Sequence, residues 1–150
     1  MTRWRMRVPF VAVAAALVAI ALAGTAGSGA NRVVLGRAGL LRGGTGWGTA
    51  APATIFNGGD PSGRAFRLRW SGWGTPVAYA HGLTWVFRRQ GGYYEAPGAI
   101  ELRASRIGKC VAGGPPAYTR LAARVATHPG GPLGRWFAWG GWTTICRRPG

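Results

Sequence analysis

Val77-Ala78-Tyr79-Ala80-His81-Gly82-Leu83-Thr84-Trp85-Val86-Phe87 alternates in character with a period of two. Val77, Tyr79, His81, Leu83, Trp85 and Phe87 form one set, and Ala78, Ala80, Gly82, Thr84 and Val86 the other. Successive side chains of a strand point to opposite faces, so this pattern predicts a β-strand and excludes an amphipathic helix. The large set is expected to face inward, which makes His81 a core histidine. The small set is expected to pack closely against another layer. Gly82, inside the strand, is expected to mark a bulge or bend.

The same period recurs on either side. Phe66, Leu68 and Trp70 alternate with Arg67, Arg69 and Ser71, while Ile100, Leu102 and Ala104 are opposed by Glu101, Arg103 and Ser105. Between Tyr118 and Val125 the composition also suits a helix, but Thr119, Leu121, Ala123 and Val125 alternate, and the stretch is read as a strand. Arg135 to Cys146 predicts a last aromatic strand, or strand pair, around Gly140-Gly141. Asp60-Pro61-Ser62-Gly63 has the residues of a type I turn, and Gln90-Gly91-Gly92, Pro97-Gly98, Gly113-Gly114-Pro115-Pro116 and residues 128–134 break the chain elsewhere. Short alternating segments so punctuated predict an all-β fold, a small antiparallel sandwich or barrel, as a single domain over residues 54–150. Residues 31–53 carry many glycines and no sustained period, and are read as a Gly-rich lead-in or linker with one strand near Val33 to Leu35.

The N-terminus reads as a targeting segment. Arg3, Arg5 and Arg7 precede the uncharged run Val8 to Ala23, and the small residues Gly24 to Ala30 follow. This is the three-part form of a signal peptide over residues 1–30, its helix outside the fold, with Ala21-Leu22-Ala23 and Ser28-Gly29-Ala30 as two cleavage patterns. An uncleaved N-terminal anchor is the competing reading. However, a membrane span needs about 20 apolar residues, and the strongly apolar run covers 16. The protein is therefore expected to be secreted or extracytoplasmic. In an oxidising compartment, Cys110 and Cys146 are expected to form one disulfide.

Charge is the second constraint. The 150 residues hold 19 Lys+Arg against 3 Asp+Glu. Without residues 1–30, sixteen basic side chains remain against Asp60, Glu95 and Glu101. Three carboxylates are scant material for acid–base catalysis or for a calcium site, which wants six or more oxygen ligands. Zinc spacings, a P-loop and a dinucleotide fingerprint are all missing, so no metal and no cofactor are expected. The parts of a Ser-His-Asp triad exist in Ser62, Ser71 or Ser105, His81 or His128, and Asp60. No G-x-S-x-G elbow accompanies them, so a secreted hydrolase is the least favoured reading.

Asn57-Gly58-Gly59-Asp60-Pro61-Ser62-Gly63, followed by Trp70, Trp73-Gly74, Gly82-Leu83, Cys110 and the late Gly-Pro-Leu-Gly before Trp136-Phe137, resembles a group of small exported proteins of high-GC Gram-positive bacteria. The resemblance spans Thr54 to Cys146. It implies an extracytoplasmic β-rich domain and brings no catalytic residues. It also implies a lipid-attachment Cys near the N-terminus, which this sequence does not have: its first cysteine is Cys110.

The residues alone favour a non-enzymatic β domain that associates with the anionic cell envelope, with Arg67, Arg69, Arg88, Arg89 and Arg103 as contacts. Envelope polymers and a membrane surface are the expected partners, in a salt-sensitive way. The alternative is a carbohydrate- or protein-binding module using exposed tryptophan. Trp73 and Trp139, beside glycines where strands turn, are the candidates for binding glycans. Export and the lack of any RNP-like or OB signature argue against nucleic acid.

Overall fold

A computed structural model describes residues 32–148. The signal-peptide reading of residues 1–30 lies outside them. The fold is all-β: a single mixed sheet that curls into a half-barrel. In chain order the strands are β1 (Val34–Leu35), β2 (Thr54–Phe56), β3 (Arg64–Ser71), β4 (Val77–Thr84), β5 (Gly98–Lys109), β6 (Pro116–Val125) and β7 (Phe137–Ala138). Their order across the sheet is β1-β6-β5-β4-β3-β2, with β7 also paired to β6. Neighbours are antiparallel except β1, which runs parallel to β6.

Which side chains face inward differs from expectation at β4. The small set is buried: Ala78, Ala80 and Thr84 lie inside, while Val77, Tyr79 and His81 are exposed. The inner face of a curled sheet has little room at its centre, and alanine fills it without pushing the neighbouring strands apart. His81 is thus an exposed outer residue, its side chain 70% accessible, and not a core histidine.

A second shift comes from β3. Ala65 pairs with Thr84 and Phe66 with Leu83, but the next partners are Arg69 and His81. Arg67 and Leu68 therefore face Gly82 alone, a bulge made by Arg67 at φ 53°. It leaves Leu68 and Trp70 inside and turns Phe66 to the outer face beside Trp85. The sequence placed the irregularity at Gly82, and the bulged strand is the one opposite. A Cβ on Gly82 would come within 2.7 Å of both Leu68 Cδ2 and the Phe66 carbonyl oxygen, so only glycine fits there. β5 and β6 follow the expected alternation, with Ile100, Leu102, Ala104, Leu121 and Ala123 buried.

Two segments outside the long strands cover the inner face. Leu35, Leu40 and Trp47 are buried in the same core as Ile145 and Trp139. The stretch 31–53, expected as a lead-in or linker, is over its described residues part of the domain. Its glycines serve turns, and its three apolar anchors seal the sheet. The C-terminal segment is pinned to β6 by the Ile145 N–H donating to the Thr119 carbonyl at 2.9 Å. The Cys110–Cys146 disulfide fastens it again. The last aromatic strand is cut short. Gly140 and Gly141 take φ 62° and 74°, which ends β7 after two residues and turns Trp139 into the core. Among the described residues, no helix is long and apolar enough to cross a membrane.

Candidate functional site

The outer face of β4, β5 and β6 carries a charged row set by register. His81 pairs across to Glu101 and Glu101 to Arg124. Arg124 holds Glu101 Oε2 at 2.5 and 2.6 Å, and His81 Nδ1 lies 3.4 Å from Oε1. Arg103 and Arg124 both stack on Trp136, with guanidinium carbons 5.1 and 5.0 Å from the ring centre. This arrangement is a structural brace, and it occupies two of the sheet's arginines.

Apart from Arg124, the arginines of the described residues form no salt bridge, although Arg103 stays stacked on Trp136 and Arg148 donates to the Leu40 carbonyl. Arg103, Arg106 and Arg120 line a groove of about 390 Å³ with Ser105, Trp142 and Thr143. A smaller hollow of about 240 Å³ has Arg37, Arg147 and Arg148 in its wall, with Gly39 and Leu40 between them. The C-terminal segment contributes to both, Trp142 and Thr143 to the first and Arg147 and Arg148 to the second. No carboxylate lines either one. Each offers planar guanidinium donors to an anionic group, and the groove adds hydroxyls.

The arginines chosen from sequence are not gathered in one place. Arg67 and Arg69 flank an open depression on β3. Arg88 and Arg89 are exposed in the turn after β4, which the Arg88 N–H closes onto the Gly92 carbonyl. Arg103 alone joins the groove. Arg106, Arg120, Arg37, Arg147 and Arg148 were not singled out. The register of β5 on β6 brings Arg106 and Arg120 to the groove with Arg103, and the return of the C-terminus sets Arg147 and Arg148 by Arg37; no local pattern encodes either grouping.

The two candidate tryptophans are structural. Trp139 is buried, and its Nε1–H donates to Asn57 Oδ1 at 2.8 Å. Trp73 is half-buried between Trp70 and Tyr118, with ring centres 4.7 and 5.1 Å away, and its Nε1–H donates to the Val33 carbonyl. Neither offers a free ring face of the kind expected from the sequence. Tyr118 anchors this cluster from β6, its hydroxyl donating to the Thr75 carbonyl at 2.6 Å and accepting from the Gly74 N–H at 2.9 Å.

A different concavity lies at the end of the half-barrel where β4 and β6 finish. It measures about 430 Å³ and is walled by the turn 57–63, by Trp85, Val86 and Phe87, and by Phe137, Trp139 and Gly140. Phe87 and Phe137 are 60% and 49% exposed. Asp60 is its single carboxylate. The expected turn is present: the Gly63 N–H donates to the Asp60 carbonyl, and Asp60 Oδ1 caps Ser62 N. Oδ1 also accepts from the Ser62 and Tyr93 hydroxyls. The Ser62 bond, aided by Tyr93, holds the Asp60 carboxyl below its ordinary range.

These placements leave the triad parts apart. The Ser62 hydroxyl donates straight to Asp60, His81 sits beside Glu101, and His128 Nδ1 lies by its neighbouring Pro129 carbonyl. Among the described residues, no three His, Cys, Asp or Glu side chains gather into a metal-binding group. No family model, curated protein or solved structure matches the chain.

Proposed function

We propose that the chain is an exported, non-enzymatic β domain that associates with the anionic polymers of the cell envelope through its arginine groove and the separate arginine-walled hollow. One observation carries this reading. Of the sixteen basic side chains in the described residues, Arg124 alone meets an Asp or Glu. Of the other fifteen, fourteen are exposed, and of the six that line the groove and the hollow only Arg103 is half-buried. Arginine forms paired, charge-assisted bonds with phosphate and carboxylate groups, and a carboxylate-free wall leaves it available to them. The disulfide, of a kind that persists in oxidising compartments, supports an extracytoplasmic setting, as does the targeting form of residues 1–30.

The test is retention on heparin at low ionic strength, with anionic and neutral liposomes as parallel arms. Binding that weakens steeply as salt rises is the expected outcome, because exposed charges are screened beyond about 8 Å at physiological salt. Failure to bind any of the anionic probes at low salt refutes the reading. Binding to anionic liposomes but not to heparin moves the partner from a polymer to the membrane surface.

A further inference from the structure

We infer that the concavity at the Asp60 end of the half-barrel is a binding site for a neutral sugar ring, independent of the arginine groove. Its volume of about 430 Å³ falls within the range of small-molecule sites, roughly 300–1,000 Å³. Its wall combines two kinds of surface that carbohydrates need together. Phe87, beyond the end of β4, and Phe137, in β7, are exposed rings in this wall, Phe87 meeting Tyr93 edge-on with ring centres 5.5 Å apart. They offer apolar faces to the C–H side of a pyranose. Asp60 belongs to the same wall, and all three of its side-chain hydrogen bonds end on Oδ1, leaving Oδ2 without a protein partner. A carboxylate oxygen so left is an acceptor for sugar hydroxyls, and it is already oriented by the turn.

Charge selects the ligand class. The single carboxylate in the wall disfavours an anion at that point. The surrounding excess of basic side chains disfavours a cation on approach. A neutral, hydroxyl-rich ligand escapes both penalties. The segment 136–143 separates this site from the arginine groove: Phe137 and Trp139 face the first, Ala138 and Trp142 the second.

The experiment titrates the disulfide-bonded protein with cellotetraose, mannotetraose, arabinotetraose and tetraacetylchitotetraose. Tryptophan fluorescence is followed, since Trp85 and Trp139 lie in the wall. At least one of the four is expected to give a saturable change, and Phe87→Ala with Phe137→Ala to weaken it by about tenfold or more. Both rings are exposed, so the pair of substitutions leaves the core intact, and an unchanged melting curve verifies it. Asp60→Asn, which keeps an oxygen for the Ser62 cap, is expected to weaken binding severalfold as a second check. Lack of saturation with all four up to about 10 mM, or undiminished affinity in the Phe87/Phe137 variant, overturns the assignment. Substituting Arg106 and Arg120 by alanine, which leaves Arg103 stacked on Trp136, is expected to leave sugar binding unchanged, and loss of binding there overturns the claim of independence. Heparin retention is unaffected by the outcome, so failure here is distinct from failure of the envelope reading.

Discussion

The arginine groove and the Asp60 concavity lie on either side of one short segment, residues 136–143, yet they are opposite in chemistry. The groove is cationic, open and free of carboxylates, and its arginines come from β5 and β6. The concavity is aromatic, holds the single carboxylate of its wall, and is assembled from the turn 57–63, the end of β4 and β7. A large net charge therefore says little about where a protein binds. A chain with 19 basic against 3 acidic side chains still keeps a hollow whose one charged wall residue is a carboxylate, and the arrangement of the sheet, not the count of arginines, separates the two.

Trp139 is the place to break the division with the largest effect. It is buried, it braces Asn57, and it stands between the two regions. Trp139→Ala is expected to cost about 3–5 kcal/mol in denaturant unfolding, as for other large core truncations. The concavity is expected to lose its shape before the groove does. A loss below about 1 kcal/mol would show that Trp139 does not hold the wall.

Removing the disulfide comes next. Cys110 and Cys146 close a loop with a sequence separation of 36 residues, and Cys110→Ala with Cys146→Ala is expected to cost roughly 3–4 kcal/mol. The bond fixes the segment that supplies Trp142, Thr143, Arg147 and Arg148. Reduction should therefore impair heparin binding more than it alters the Asp60 end. Equal damage to both would contradict the division.

The smallest effect is a titration. The Asp60 carboxyl is held down by its Ser62 and Tyr93 bonds, so its charged form is favoured in the folded state. Its contribution is present at neutral pH and is lost only as pH falls through a folded value below 3.8. An NMR titration of the Asp60 side chain should show a midpoint below that of an ordinary aspartate. A midpoint at or above it would remove the oriented carboxylate from the account of the concavity.

Much of the sheet is legible in the sequence because alternation is local. β5 and β6 were readable with their buried faces, and so was the turn at Asp60. The inward face of β4 was not, since size suggested that Tyr79 and His81 go inside, while the crowded inner face of a half-barrel takes Ala78 and Ala80. Glycine content disguised residues 31–53 as a linker, although Leu35, Leu40 and Trp47 are three apolar anchors in that stretch. Of the groove's arginines, only Arg103 was singled out. Its partners Arg106 and Arg120 belong to strand positions brought together by register. The concavity was the least legible. Residues 57, 87 and 137 meet by topology, and Phe87 and Phe137 read as ordinary strand aromatics until the strands end around them.

The most direct test is a reciprocal one: heparin affinity measured calorimetrically at low salt for the native protein, for Arg103→Ala/Arg106→Ala/Arg120→Ala, and for Phe87→Ala/Phe137→Ala. The arginine variant should bind at least about tenfold more weakly and the phenylalanine variant as tightly as the native protein. Undiminished heparin affinity in the arginine variant would contradict the claim that the groove is the polyanion site.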